Sequence, residues 1–401
     1  MLTPRGRFLL VLGGLLYLAA WAFGSNPLYP VSVGLLLLVG LAAAAVRLAA
    51  RPMGYRRRTN AVEHVEGEDV RVDVELDASG ALGLVSVAAV ERLAGLGERR
   101  IVLRQYGKVL RGSYVLRNVR RGRYGVDEAG IVIEDPFGLE QASLELPAQG
   151  ALLVLPRIVE LDVLFSESGP RAQGGHRLLL RRPAGFDVHS VREYEEGESL
   201  RKVHWRSTAR RGQLMVKELQ DEPRDEIAVL LDADAGAVAA DSFDAQVRAA
   251  GSLLHAHVWR DRRAVLVVNS LRQEVVRVQT RAGDWREALE TLAGVEATGR
   301  SSLASVLADD SGPAGRAYEV AIVTARLDPG LVDRVVHRSL SQRRVSVVYV
   351  DAPTFAGRRP AREPGLLKLQ TCGVPVAVVR RGDDLAQVLS APAAAREAVG
   401  G

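Results

Sequence analysis

Two uncharged apolar runs, Phe8 to Phe23 and Leu28 to Val46, stand at the start of this chain, separated only by Gly24-Ser25-Asn26-Pro27. Spanning a bilayer takes roughly 20 apolar residues, so the first run is short for a span and the second close to the usual length. The Gly-Ser-Asn-Pro segment has the chemistry of a turn. A signal peptide is the rival reading of the first run, but no small-residue cleavage site precedes the second. The expectation is a two-helix transmembrane hairpin. Arg5 and Arg7 precede it, Arg47, Arg51, Arg56, Arg57 and Arg58 follow it, and the connecting turn carries no charge. The positive-inside bias then puts both ends in the cytoplasm. The expected location is the inner (plasma) membrane, spanned twice, with the soluble part cytoplasmic.

The rest of the chain reads as soluble. Cys372 is the single cysteine, so neither an intrachain disulfide nor a thiolate metal cluster can form. A net charge of +5 is modest, and much of it sits beside the second run, where anionic membrane lipid accounts for it without nucleic acid.

From Thr59 to Pro156 the hydrophobic period is two: Val70, Val72, Val74 and Leu76 alternate with Arg71, Asp73 and Glu75. Further strand-like runs are Leu84 to Val90, Ile101 to Leu103, Ser113 to Leu116, Ile131 to Glu134 and Leu152 to Leu155, with polar turns between. That pattern predicts a small antiparallel β-sandwich. After Asp225 it changes. Apolar strands at 226–232, 264–268, 318–324, 345–351 and 374–379 alternate with helical stretches such as Ser242 to Trp259 and Pro329 to Gln342. Continuous apolar strands between amphipathic helices predict an α/β domain with a parallel sheet covered on both faces. The expected organisation is 1–58 hairpin and basic juxtamembrane segment, 59–156 β-sandwich-like domain, 157–224 linking segment and 225–401 α/β domain.

Open α/β sheets bind ligands at the carboxyl ends of their strands, and Asp232-Ala-Asp-Ala-Gly236 falls at such an end. It resembles the first metal loop of von Willebrand factor A domains. The leading Asp matches at Asp232, while the two hydroxyl positions read Asp234 and Gly236. Ser301 and Ser302 stand where a second loop would be and Asp328 where a third would be. Hard cations take oxygen ligands, so Asp232, Asp234 and Asp328 are the candidate ligands of a degenerate site for Mg2+. The alternative is that an Asp here caps the helix beyond its strand and no cofactor is held. His255 and His257, two apart on a helix, face different directions and make a poor ligand pair.

Residues 192–211 are the most unusual stretch, too charged for a core and too aromatic for a solvated tail. Glu193, Glu195, Glu196 and Glu198 come first; Arg201, Lys202, Arg206, Arg210 and Arg211 follow, with Tyr194 and Trp205 inside the charge. A turn at Gly197 lets acids meet bases, with Arg forks on carboxylates and a Trp face for stacking. One reading is a clamp between the β and α/β domains. The other is a docking surface, since Trp, Tyr and Arg dominate binding hot spots. The glutamates oppose a polyanion, so no nucleic-acid partner is expected.

Arg121-Gly-Arg-Tyr-Gly-Val126, Asp135-Pro-Phe-Gly-Leu139, Leu155-Pro156 and the 192–211 block leading to Leu214 and Glu218 occur in the order found in a known family. Most specific are Arg192-Glu193-Tyr194, Gly197, Arg201, Trp205 and Ala209-Arg210. The chain resembles the bacterial domain of unknown function 58 family over essentially its whole length, two-helix anchor included. Glu198 departs from the usual Asp with its charge kept. The resemblance implies a von Willebrand factor A-like (Rossmann-like) C-terminal half and 157–224 as the family's signature segment. It also implies partnership with a MoxR-type AAA+ ATPase and a transglutaminase-like membrane protein. No catalytic activity comes with it. The expected function is a non-enzymatic, membrane-anchored adaptor or scaffold in assembly or maturation of envelope or other protein complexes. A metal-dependent ligand-binding or hydrolytic domain centred on Asp232 is the alternative.

Overall fold

The computed structural model describes residues 1–50, 54–61, 63–77, 85–146, 150–167, 188–193, 205–219, 226–281 and 283–390; at 127, 188–193 and 216–219 it describes backbone only. Tyr194, Gly197 and Arg201 lie outside the described residues. The chain divides into two compact units, Met1–Leu155 and Pro156–Gly401.

The first unit opens on a helix that Thr3 caps, its hydroxyl accepting the Gly6 N–H at 3.1 Å, with Pro4 at the first helical position. Helix α1 (Pro4–Phe23) ends at Gly24, whose φ of 62° suits a residue without a Cβ. Helix α2 (Leu28–Ala49) returns beside it. Ser32 Oγ donates to the Gly13 carbonyl at 2.9 Å, and the Tyr17 and Tyr29 rings meet edge-on at 5.4 Å. A Cβ on Gly13 would stand 3.1 Å from Leu36, so glycine sets how closely the helices approach. Both helices are long and apolar enough to cross a membrane, and Leu15, Leu18, Trp21, Leu37 and Leu41 are exposed on them.

The sandwich expected for 59–156 is instead one curled, mixed sheet. Its nine strands are β1 (Gly54–Thr59), β2 (His64–Val65), β3 (Val70–Asp77), β4 (Ser86–Leu93), β5 (Gly97–Tyr106), β6 (Val109–Leu116), β7 (Gly122–Glu134), β8 (Gln141–Leu146) and β9 (Ala151–Leu155). They run in the order β1-β3-β6-β5-β4-β7-β9-β2, with β8 also on β7. All pairs are antiparallel except β2 with β9. Long strands explain the single sheet. β7 pairs with β9 through Gly122–Gly125, then with β4 and β8 through the rest of its length, so it carries the ladder around a corner two separate layers would have broken. Val70, Val72, Val74 and Leu76 are fully buried on one face of β3, as alternation requires.

Gly54–Thr59 is a strand where a basic juxtamembrane segment is expected, and that changes the role of its arginines. Arg57 points into the sheet's interior. The same face of β4 carries Val87, Ala89, Glu91 and Leu93, and Glu91 is fully buried there. Arg57 Nε lies 3.5 Å from Glu91 Oε2, its side chain only 9% exposed and so withdrawn from lipid. Tyr114 donates its hydroxyl to the same carboxylate at 2.5 Å, and Tyr55 donates to the other oxygen. Burial, followed by the bond to Glu91, pushes both phenols well above the usual tyrosine range, so they stay protonated and keep donating.

The second unit carries a six-stranded sheet in the order β14-β13-β12-β15-β16-β17. These are β12 (Ile227–Asp232), β13 (Ala264–Asn269), β14 (Glu274–Val278), β15 (Glu319–Thr324), β16 (Arg344–Val350) and β17 (Val376–Val379). All neighbours are parallel except the antiparallel edge strand β14. Every residue of β12, β13 and β15 is buried, because helices lie on both faces. Val229 and Leu231 pack with helix Ser242–Val258; Ala228 and Leu230 pack with helices Leu303–Ala308 and Pro329–Leu340. Leu161, Leu164 and Phe165, expected in the linking segment, belong to the first of these clusters. The start of that segment is therefore part of the α/β core. A separate antiparallel pair is formed by β10 (Val188–Glu193) and β11 (Met215–Leu219).

Breaking a buried ion pair from one side leaves the other charge stranded, which costs about 3–5 kcal/mol. Arg57→Met is expected to lower unfolding free energy in detergent by about that much. The double variant Arg57→Met with Glu91→Leu should recover much of it, as read by denaturant titration.

Candidate functional site

The carboxyl end of the α/β sheet gathers a polar residue from each of four strands. Asp232 ends β12, Asn269 ends β13, Thr324 ends β15 and Asp351 follows β16; all four are buried. Parallel strands of similar length, in register, place their last residues side by side. Thr324 Oγ1 donates to Asp232 Oδ2 at 2.6 Å, while Oδ1 accepts the Asp234 N–H at 3.3 Å and Asn269 Nδ2 at 3.5 Å. Burial raises the Asp232 pKa above the ordinary carboxylate value, and these three donors oppose the rise. Asn269 also donates to the Ser301 carbonyl at 2.7 Å, joining the second loop to the first.

Asp234 is held differently. Its Oδ1 accepts the Gly236 N–H at 2.8 Å, closing a tight turn, and its Oδ2 lies 2.8 Å from Arg326 Nη1. The second arm of the same guanidinium donates to the Gly236 carbonyl at 2.8 Å. A cation thus already sits against the loop, and it is a side chain. Asp328 caps helix Pro329–Leu340, Oδ1 accepting the Leu331 N–H at 2.9 Å and Oδ2 facing Ser302 Oγ at 3.5 Å. Ser302 in turn caps helix Leu303–Ala308 through the Ala304 N–H at 3.2 Å.

The three carboxylates singled out as metal ligands therefore take separate partners. Among the described residues no cluster of three or more His, Cys, Asp or Glu is arranged to hold a metal ion. The donor set does not fit one either, since Arg326, Thr324 and the helix N–H groups occupy the oxygens a cation would use. Asp328 acts as a helix cap; Asp232 anchors strand ends instead. Arg326, Thr324 and Asn269 were missed by sequence reasoning. A polar residue closing each apolar run was the available signal for the last two.

His255 and His257 point apart. His255 stacks on Trp259 with ring centroids 4.0 Å apart and meets Trp285 at 5.3 Å; Arg281 lies over Trp259 at 6.0 Å. His257 is buried, its Nδ1 accepting from Arg262 Nη1 at 3.0 Å, while Arg262 Nη2 bonds Glu319 at 2.6 Å. Burial pushes His257 down to about 3, against the attraction of Glu319. It is a neutral structural acceptor.

Of the 192–211 block, Arg192 and Glu193 lie on β10, with backbone alone described. Trp205, Arg206 and Arg210 lie on helix Trp205–Arg211, none of whose side chains is buried; Trp205 is 68% exposed. Thr208 ties this helix to β11, its hydroxyl accepting the Met215 N–H at 3.0 Å. The helix presents an indole and several guanidinium groups to solvent.

Residues 190–351, which hold this helix and the strand ends just described, match the family model for protein of unknown function DUF58. The chain resembles that family over this segment. It is also similar to the uncharacterized protein YeaD of Bacillus subtilis (strain 168), 21% identical over 234 residues. That match covers 58% of each chain, so less than two thirds of the relative's length is spanned. Among solved structures, the cycloalternan-forming enzyme from Listeria monocytogenes aligns at 11% identity and TM-score 0.19, over 27% of this chain and 10% of that one. Cwp6 from Clostridium difficile aligns at 10% identity and TM-score 0.20, over 74% and 37%. At these scores neither bears on fold or activity.

Two outcomes test this geometry. A group whose folded pKa lies below its unfolded value stabilises the fold above the unfolded value and loses that contribution as pH falls. For His257 the window runs from 6.5 down toward about 3. Melting temperature should therefore fall more steeply across that range in the wild type than in His257→Gln. Calorimetric titration with magnesium or manganese should give no saturable heat; saturable binding lost in Asp232→Ala would place a cation here after all.

Proposed function

We propose that this protein is a membrane-anchored adaptor, without catalytic activity of its own, that presents a docking surface to a MoxR-type AAA+ ATPase. The exposed helix Trp205–Arg211 carries this reading. Large aromatic side chains left in water beside arginines are what partner-binding hot spots are made of. Thr208 fixes the helix to β11, so little ordering is needed on binding.

Other features support the same assignment. The carboxylates at the sheet's carboxyl end are matched internally by Arg326, Thr324, Asn269 and helix N–H groups, which favours a structural use over a chemical one. The strand order, with β12 central and one antiparallel edge, supports the von Willebrand factor A-like reading, a fold class suited to binding protein partners. The apolar hairpin, with Arg5, Arg7 and Arg47 toward the ends of its helices away from the turn, supports anchorage in the plasma membrane with both units in the cytoplasm. A transglutaminase-like membrane protein fits as a second partner, and assembly or maturation of envelope complexes as the setting.

Trp205→Ala and Arg210→Ala are each expected to reduce recovery of the ATPase in a membrane pull-down by about 30-fold, the effect of a hot-spot residue worth about 2 kcal/mol. Circular dichroism and melting temperature should be unchanged, because neither side chain is buried. Full recovery in both variants would remove the docking reading.

A further inference from the structure

Where the hairpin meets the sheet of the first unit, a cavity of about 600 Å³ opens between α1, α2 and the β7–β8 turn. Its walls include Phe8 and Leu9 of α1, Leu38 of α2, and Phe137 and Leu139 of the turn; Arg5 is its charged member. The volume lies in the range of small-molecule sites, about 300–1,000 Å³. The turn that forms one wall is built to hold its shape. Asp135 is buried and accepts three backbone N–H groups, from Phe137 at 2.9 Å and from Leu139 and Glu140 at 2.6 Å each. Its backbone is tied to the start of α1, the Thr3 N–H bonding the Leu139 carbonyl at 3.0 Å and the Thr3 hydroxyl bonding the Gly138 carbonyl at 2.6 Å.

This fixed turn holds Phe137 out at 60% exposure beside Phe8, itself 65% exposed. Two phenyl rings are thus held open at the foot of a hairpin that also exposes Leu15, Leu18 and Leu41. Arg5 is the cation in the lining. An apolar slot with a cation in its lining is complementary to a chain with an anionic head.

The geometry points to a binding site for one anionic phospholipid, its acyl chain in the slot against Phe8, Leu38 and Phe137 and its phosphate on Arg5. Basic residues at the cytoplasmic end of transmembrane helices select anionic headgroups, which gives the site its expected preference. The site rests on the membrane reading of the hairpin. It makes the Asp135-Pro-Phe-Gly-Leu139 turn a lipid-seating element that fixes the depth of the first unit against the bilayer.

The test is native mass spectrometry of the full chain in detergent, titrated with dioleoylphosphatidylglycerol or dioleoylphosphatidylcholine. Wild type should retain one phosphatidylglycerol with about tenfold preference over phosphatidylcholine. Arg5→Gln should abolish the preference and Arg5→Lys restore most of it, while Phe137→Ser should weaken retention of both lipids several-fold. Equal retention of the two lipids by wild type, or variants that match wild type, would overturn the site. Carbonate extraction of cell membranes separates this from failure of the anchor. Wild type and all three variants should stay in the pellet; release of the wild type would overturn the membrane reading and the site with it.

Discussion

A carboxylate removed from water must be given donors or an opposite charge, or it takes up a proton, and both units of this protein are organised around that requirement. In the first unit the requirement falls on Glu91, which occupies a core position of β4 among valine, alanine and leucine side chains. Its matching groups come from different strands, Arg57 and Tyr55 from β1 and Tyr114 from β6. β1 and β4 are far apart in the sheet order, with β3, β6 and β5 between them. The carboxylate can be satisfied only once the sheet has curled enough to bring them together. A purely apolar core would have accepted other curvatures; this one specifies its closure.

The second unit meets the same requirement at its surface-facing end. Asp234 takes Arg326, and Asp232 takes a hydroxyl and two amide donors. The contacts from Arg326, Thr324 and Asn269 tie together strands or loops that the chain visits far apart. The polar row along the strand ends is thereby a set of fasteners for the loops above the sheet. It leaves exposed side chains such as Trp205 as the groups free to meet something else.

How much of this was legible depended on how local the governing interaction was. The alternation Val70-Val72-Val74-Leu76, the continuous apolar strands and the uncharged helices could be read directly, because each is set by short-range periodicity. The corner in β7 could not: it arises when one 13-residue strand serves three neighbours, which is pairing at long range. Arg57 was hidden inside a basic run beside an apolar helix, where attraction to lipid explains three arginines equally well. Its burial is visible only through Glu91. Asp234 looked like a metal ligand because its spacing from Asp232 says nothing of Arg326, which arrives from the end of β15. The 192–211 block was recognisable as a signature, and helix Trp205–Arg211 now shows its basic end in water.

The last turns of α2 place Val46 and Ala49 in the same core as Val70, Val72 and Leu152. The strand carrying Arg57 begins only a few residues later. Helix α2 and sheet therefore share one hydrophobic interior, and neither can be detached without opening the other. A fragment trimmed to begin at residue 59 would lack β1 and leave Glu91 with Tyr114 but no cation, so solubility gained by removing the apolar hairpin would be lost through an open sheet edge and a stranded charge. The same continuity makes the hairpin a lever. A tilt or displacement of α2 is passed directly to the strands whose core it shares.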